Sequence, residues 1–179
     1  YMMQNRKYKI EKDKVFLREE THSGLWGEEE LKEFIPEEQQ MHREKLIETF
    51  KFKKHNYIKG ISCKCCVGEE DWEWQQPYVL EDTQLTWSNL LINGNYTRFI
   101  EEMVPLFANR EILYVAHKNA QVDQLPIEIK HVFSIGSNCM INNYDTAEKV
   151  RIFIKENKLK NHIVLSSAAS LSNFVIHEC

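Results

Sequence analysis

The chain reads as an α/β protein of parallel strands joined by crossover helices, and its second half carries that prediction. Between Asn109 and Cys179, three short apolar runs each stop at a polar loop. Ile112-Leu113-Tyr114-Val115-Ala116 stops at His117-Lys118-Asn119, and His131 to Ile135 stops at Gly136-Ser137-Asn138. His162 to Leu165 breaks into Ser166-Ser167-Ala168-Ala169-Ser170. Helix-period segments alternate with these runs, the pattern of parallel strands with helices between them. Ligands of such sheets bind at the carboxyl ends of the strands, where these loops fall.

Taken in order, residues 1–36 are charged and irregular, and are expected to form an N-terminal segment ahead of an α/β domain over 37–179. Lys9 to Phe16 suits a strand and Gly24-Leu25-Trp26-Gly27 a turn. Glu28-Glu29-Glu30 puts acids in the first turn of an expected short helix that Pro36 ends. A second helix is expected over Glu37 to Phe50, with Met41, Leu46, Ile47 and Phe50 on one side. Tyr57 to Ile61 reads as a strand in which Gly60 points to a bend or a close backbone approach. The stretch from Cys63 to Tyr78, dense in Cys, acid and Trp, reads as a loop inserted after that strand.

Thr83 to Leu91 suits a helix packed through Leu85, Trp87, Leu90 and Leu91 and stopped by Asn93-Gly94. Thr97 is placed to cap the next helix, which Pro105 kinks or closes. Asp145 or Thr146 caps a later helix whose Val150, Ile152, Phe153 and Ile154 suit the underside of a sheet. Leu171 to Cys179 is amphipathic and has no stop signal. With Tyr1 standing where an initiating Met is expected, the chain reads as a piece of a longer protein, truncated at its C-terminus.

Composition narrows the function classes. With 42% hydrophobic and 28% charged residues, the 179-residue chain can bury a real core. A net charge of −4 gives no reason to expect nucleic acid as a partner. The basic cluster Lys51, Lys53, Lys54 and His55 reads as a solvated helix end. No apolar run approaches the roughly 18 residues of a membrane span, and no signal-peptide pattern opens the chain. The five cysteines are an odd number, and three crowd at Cys63, Cys65 and Cys66, which suits no ordinary disulfide framework. A reduced, cytoplasmic setting follows.

Four groups of residues are candidates for chemistry. The small residues from Ser166 to Ser170 lead into a helix, where backbone N–H groups either cradle a phosphate or simply allow tight packing. Asp71 and Glu73, two apart in an expected extended loop, point the same way and either share a hard divalent cation or form a solvated acidic surface. Cys63, Cys65 and Cys66 are either reduced structural thiols or part of a zinc site that Cys139 or His55 would complete. His117, Asn119 and Asp123, with Asn138, lie at the ends of neighbouring strands, as a base and amides for sugar hydroxyls or as ordinary loop residues. No nucleophile elbow supports a hydrolase.

The order of segments NYIKGISCKCC, NLLINGNYTRFIEEMVPLFANREILYVAHKNA, LPIEIKHVFSIGSNC and HIVLSSAASLSNFVIHE resembles the GT-D type glycosyltransferase family, over roughly residues 45–179. That resemblance implies a Rossmann-like sheet flanked by helices and transfer of a sugar from a nucleotide-sugar donor to a glycan acceptor. With such a donor, the loops after the expected strands would form its pocket, at His117, Asn119, Ser137, Asn138, Ser166, Ser167 and Ser170. Mn²⁺ or Mg²⁺ would neutralise the leaving diphosphate. The family's metal motif is Asp-x-Glu within Arg-x-x-Asp-Gly-Glu near the N-terminus. Here Phe16-Leu17-Arg18 is followed by Glu19-Glu20-Thr21, with no Asp-Gly-Glu. Asp71-Trp72-Glu73 has the right letters but follows the strand that the motif should precede, so no catalytic residue is carried over. The rival expectation is a non-catalytic α/β interaction module that has lost its metal site.

Overall fold

The computed structural model describes residues 3, 8–11, 14–17, 20–23, 31–79, 84–88 and 93–179. The fold is α/β. The chain divides into two compact units, Tyr1–Thr49 with Arg110–Cys179, and Phe50–Asn109.

The N-terminal part of the first unit is an antiparallel sheet of β1 (Tyr8–Glu11), β2 (Lys14–Leu17), β3 (Glu20–Ser23) and β4 (Leu31–Phe34), in the order β3-β2-β1-β4. The single strand expected over Lys9 to Phe16 is thus corrected to two antiparallel strands, β1 and β2. The helix expected before Pro36 is corrected to strand β4, whose Phe34 pairs with Tyr8 of β1. Leu31 and Phe34 have the three-residue spacing of a helix turn, but the segment also alternates polar and apolar, and pairing with β1 decides. Glu28 to Glu30 and the turn Gly24 to Gly27 lie outside the described residues. Phe34 is fully buried in the same core as Leu46, Val115 and Ile135, so the segment before residue 36 helps to build the α/β core. Helix α1 (Gln40–Lys51) follows, with Leu46 and Thr49 buried.

In the second unit, β5 (Lys59–Ile61) and β6 (Leu85–Trp87) pair in parallel, joined through helix α2 (Lys64–Val79). Two expectations are corrected here. The Cys/Trp-rich stretch is a helix and not a loop insertion, and Leu85-Thr86-Trp87 is a strand and not part of a helix. In α2, Gln75 and Val79 lie four apart and are both buried, which is helical periodicity that the density of acids and aromatics obscures. The Gln75 amide is tied to the end of β5. Its Nε2 donates to the Ser62 carbonyl at 2.9 Å, and its Oε1 accepts from the Ser62 N–H at 3.3 Å. Gly68, at φ 81°, breaks α2 after its first turn, a backbone geometry that glycine adopts without strain. Helix α3 (Tyr96–Arg98) continues as a π turn, Phe99–Met103, and ends in a 3-10 turn, Val104–Phe107, that contains Pro105. Thr97 lies inside α3, and Asn95 takes the capping position.

The rest of the first unit is a parallel sheet of β7 (Glu111–His117), β8 (His131–Ile135) and β9 (His162–Ser166), in the order β8-β7-β9. These are the three apolar runs of the sequence. Helices α4 (Cys139–Asn142) and α5 (Thr146–Glu156) lie between β8 and β9, and α6 (Ser170–Glu178) follows β9. Ala147 and Val150 of α5 and Leu171 and Val175 of α6 are buried, at the three- and four-residue spacing of a core-facing stripe. Phe153 of α5 packs on β8, with its ring 4.4 Å from His131 and 5.6 Å from Phe133. Tyr144 stacks on Phe174 at 4.6 Å and meets His42 of α1 edge-on at 5.0 Å. Among the described residues no helix is long and apolar enough to cross a membrane.

Two predictions follow from this packing. A Cβ on Gly60 would lie 3.0 Å from the Ser88 Cα, so Gly60→Ala forces backbone apart and is expected to cost about 1–3 kcal/mol in denaturant unfolding. Burial holds the His42 imidazole below its ordinary value of 6.5, while the unfolded chain takes that proton near the ordinary value. As pH falls through this window the unfolded state binds more protons than the native state, so stability declines. The urea midpoint is expected to drop between pH 7.5 and 5.5, and to drop less in His42→Leu.

Candidate functional site

Because β7, β8 and β9 are parallel, their carboxyl ends lie side by side, with His117 level with Ile135 and Val115 level with Ser166. The chain steps from β7 out to β8 and then returns past β7 to β9, so the direction of travel across the sheet reverses. Crevices at such reversals are where open parallel sheets bind ligands.

His117 and Ser137 meet on this edge. The Asn119 N–H donates to His117 Nδ1 at 3.2 Å, so the neutral ring carries its proton on Nε2. Nε2–H then donates to Ser137 Oγ at 3.4 Å. On the other side of β7, the Tyr114 and Ser167 hydroxyls are 2.8 Å apart. Ser172 fixes the loop after β9: its Oγ accepts from the Ala168 N–H at 2.9 Å and from Ser166 Oγ at 2.9 Å. Ser170 opens α6.

Asn138 is engaged with the backbone of β4. Its Nδ2 donates to the Glu33 carbonyl at 3.2 Å and its Oδ1 accepts from the Glu33 N–H at 3.4 Å. The side chain therefore acts as a short length of strand that ties β4 to the loop after β8. Asn143 holds the same loop, its Oδ1 accepting from the Gly136 N–H at 3.0 Å. Tyr114, Asn143 and Ser172 were not singled out in the sequence. A polar residue inside an apolar strand and a serine in the first turn of a helix after a small-residue loop were the available signals.

Ala169 has φ 46° and ψ −127°. Left-handed backbone at a residue with a Cβ is strained, and such strain clusters where a binding geometry is fixed by its surroundings. Here the strand-to-helix turn is pinned by Ser172 on one side and by the Ser167 N–H donating to Val115 O at 2.8 Å on the other.

Asp71 and Glu73 do not fit a shared Mn²⁺ or Mg²⁺ site. They lie in α2, where residues two apart point about 200° away from each other. Asp71 is on the stripe of Gln75 and Val79, whereas Glu73 is exposed on the opposite side. The pairing depended on an extended loop, and the helix removes it.

The three thiols do converge. Cys63 Sγ is 2.8 Å from Cys65 Sγ and 2.9 Å from Cys66 Sγ, and the latter two are 4.0 Å apart. Hydrogen bonds from Cys65 and Cys66 hold the Cys63 thiol below its ordinary value, and the bond to Cys63 pushes Cys66 up to about 11. Neither His55 nor Cys139 joins this group. Cys139 is buried, with its thiol donating to Ala168 O at 3.3 Å.

Comparison with protein-family models, curated proteins and solved structures found no match to this chain. The geometry of its edges is therefore the basis for assigning function.

The strain at Ala169 gives a direct test of this edge. Ala169→Gly removes the Cβ conflict and is expected to raise stability by about 1 kcal/mol, read as a higher denaturation midpoint.

Proposed function

We propose that this chain is a Rossmann-like, glycosyltransferase-like domain that binds a nucleotide-sugar donor at the carboxyl edge of β8-β7-β9. The observation that carries this reading is the reversal of strand order at β7, flanked by the His117–Ser137 pair and the serine loop after β9. In sugar transfer an acceptor hydroxyl attacks the anomeric carbon while the bond to the diphosphate oxygen breaks. Charge then builds on that oxygen, and fixed hydrogen-bond donors lower the barrier by meeting it. The His117 Nε2–H and the hydroxyls of Ser137, Ser167 and Ser170 are donors of this kind, and a glycan hydroxyl is the acceptor that the resemblance implies. A divalent ion at the diphosphate would need carboxylates other than Asp71 with Glu73, and no step is assigned to one. The divergence of that pair favours, as the second reading, a binding module without transfer chemistry.

Thermal unfolding of the chain with UDP-, GDP- and CMP-linked sugars, with and without Mn²⁺, tests the proposal. A donor at a hundred times its Kd should stabilise the fold by about 2.7 kcal/mol. One nucleotide class is expected to raise the midpoint, and His117→Ala to reduce that shift in a protein that stays folded. Donor binding without sugar release or transfer to any glycan would select the second reading. The absence of a shift with every nucleotide, in a chain shown to be folded, would overturn donor binding and favour the interaction module.

A further inference from the structure

We infer that Cys63, Cys65 and Cys66 form a binding site for a soft, thiophilic metal ion such as Zn²⁺ or Cu(I). The Cys63 carbonyl accepts from the N–H groups of Cys66 at 3.0 Å and Val67 at 3.2 Å, so Cys63 stands just before a helical turn that contains the other two cysteines. A side chain at that position folds back over the second and third residues of the turn, the relation a capping residue uses. The spacing Cys-x-Cys-Cys therefore gathers three sulfurs at one point. Among the described residues it is the one such group of potential ligands, with all its ligand atoms within 4.8 Å of one another.

The dimensions suit a metal. Zn–S bonds of about 2.3 Å in tetrahedral geometry set sulfurs roughly 3.8 Å apart. The Cys65–Cys66 edge is already 4.0 Å. The two shorter edges open by χ1 rotation, which the exposure of Cys65 and Cys66 permits. Gly68 ends the turn directly after Val67, and the Lys64 ammonium is paired across this break with Glu69. The donor set is all sulfur, which selects soft ions over Mg²⁺ or Mn²⁺. Three protein ligands leave a fourth position for water or a further ligand, unlike a closed structural site. Binding of zinc converts three thiols and one Zn²⁺ into a tris-thiolate complex of charge −1 and releases three protons.

The test uses the whole chain, reduced and free of oxygen, titrated with Zn²⁺ against a chromogenic chelator and separately with Co²⁺. One ion per chain is expected, with release of protons and a thiolate-to-cobalt charge-transfer band in the near ultraviolet. Losing a group that only hydrogen-bonds a metal ligand already costs about 10–100-fold in affinity, so loss of a ligand in Cys65→Ser should cost at least that much, whereas Cys179→Ser should leave binding unchanged. Preferential uptake of Cu(I) in competition with Zn²⁺ would support the site and assign copper to it. Failure to take up one equivalent of either ion would overturn the inference. So would uptake that survives in Cys65→Ser, or a Cys63–Cys66 disulfide that forms equally fast with Zn²⁺ present.

Discussion

Strand β7 is the constraint on which the first unit depends. Leu113 and Val115 on one face and Ile112 and Ala116 on the other are all buried, so the strand requires cover on both sides. Burying an aliphatic side chain of this size contributes about 1.5–3 kcal/mol, and a strand buried on two faces collects that gain twice over. Such a strand pairs comfortably in parallel, because parallel sheets are the kind covered on both faces. β8 and β9 flank it, and α5 and α6 turn Ala147, Val150, Leu171 and Val175 into the core that Val115 and Ile135 share. Phe34, from the antiparallel sheet, completes that core, and Asn138 secures its strand by mimicking a backbone pair with Glu33.

The location of the polar edge follows from the same constraint. Parallel strands send all their carboxyl ends one way, so the loops after β7, β8 and β9 must share an edge. Those loops cannot be apolar, since their backbone groups need partners. In this chain the partners are largely hydroxyls and amides: Ser172 for Ala168, Asn143 for Gly136 and the His117 ring for Asn119. Each bond holds a loop in one conformation, and the Ser172 bond to Ala168, with the Ser167 N–H on Val115 O, brackets the positive-φ backbone of Ala169. An edge held rigid in this way would lose little conformational freedom on meeting a ligand.

How much of this was legible in the sequence varied with the length and burial of each element. The runs 112–116, 131–135 and 162–165 were legible because each is mostly apolar and ends abruptly in turn residues, although only the first is largely buried and the other two are mostly half-buried. The segments 31–34 and 85–87 were not. Each is a three- or four-residue strand, short enough for its apolar residues to fit a helix turn as well, and pairing with a distant strand settles the matter. The helix over 64–79 was hidden for another reason. Its buried positions are Gln75 and Val79, and a glutamine buried because it pairs with the Ser62 backbone leaves no hydrophobic signature. Residues 117, 137, 166 and 167 were legible as an edge, because strand ends could be read. Asn138 was legible as a polar loop residue, while its partner on β4 lies 105 positions away and was not.

Secondary structure also decides which metal chemistry each cluster of ligands can support. In an extended loop, Asp71 and Glu73 would face the same way and make a hard-ion site; in α2 they separate. At the start of α2 the same helical geometry works in the opposite sense, since a residue before the first turn and two residues within it converge. That turn follows β5, so the thiols collect just past the carboxyl end of a parallel strand, as His117, Ser137 and Ser167 do in the other unit. In both units parallel pairing fixes where polar or reactive side chains collect. What collects differs in kind. Neutral hydroxyl and imidazole donors suit the oxygens of a phosphate, whereas thiolates suit a soft cation and bind hard oxygen-seeking ions poorly. A soft ion on Cys63, Cys65 and Cys66 would therefore not stand in for the Mn²⁺ or Mg²⁺ that a donor diphosphate would call for, so the proposed thiol site and the proposed donor edge stand or fall separately.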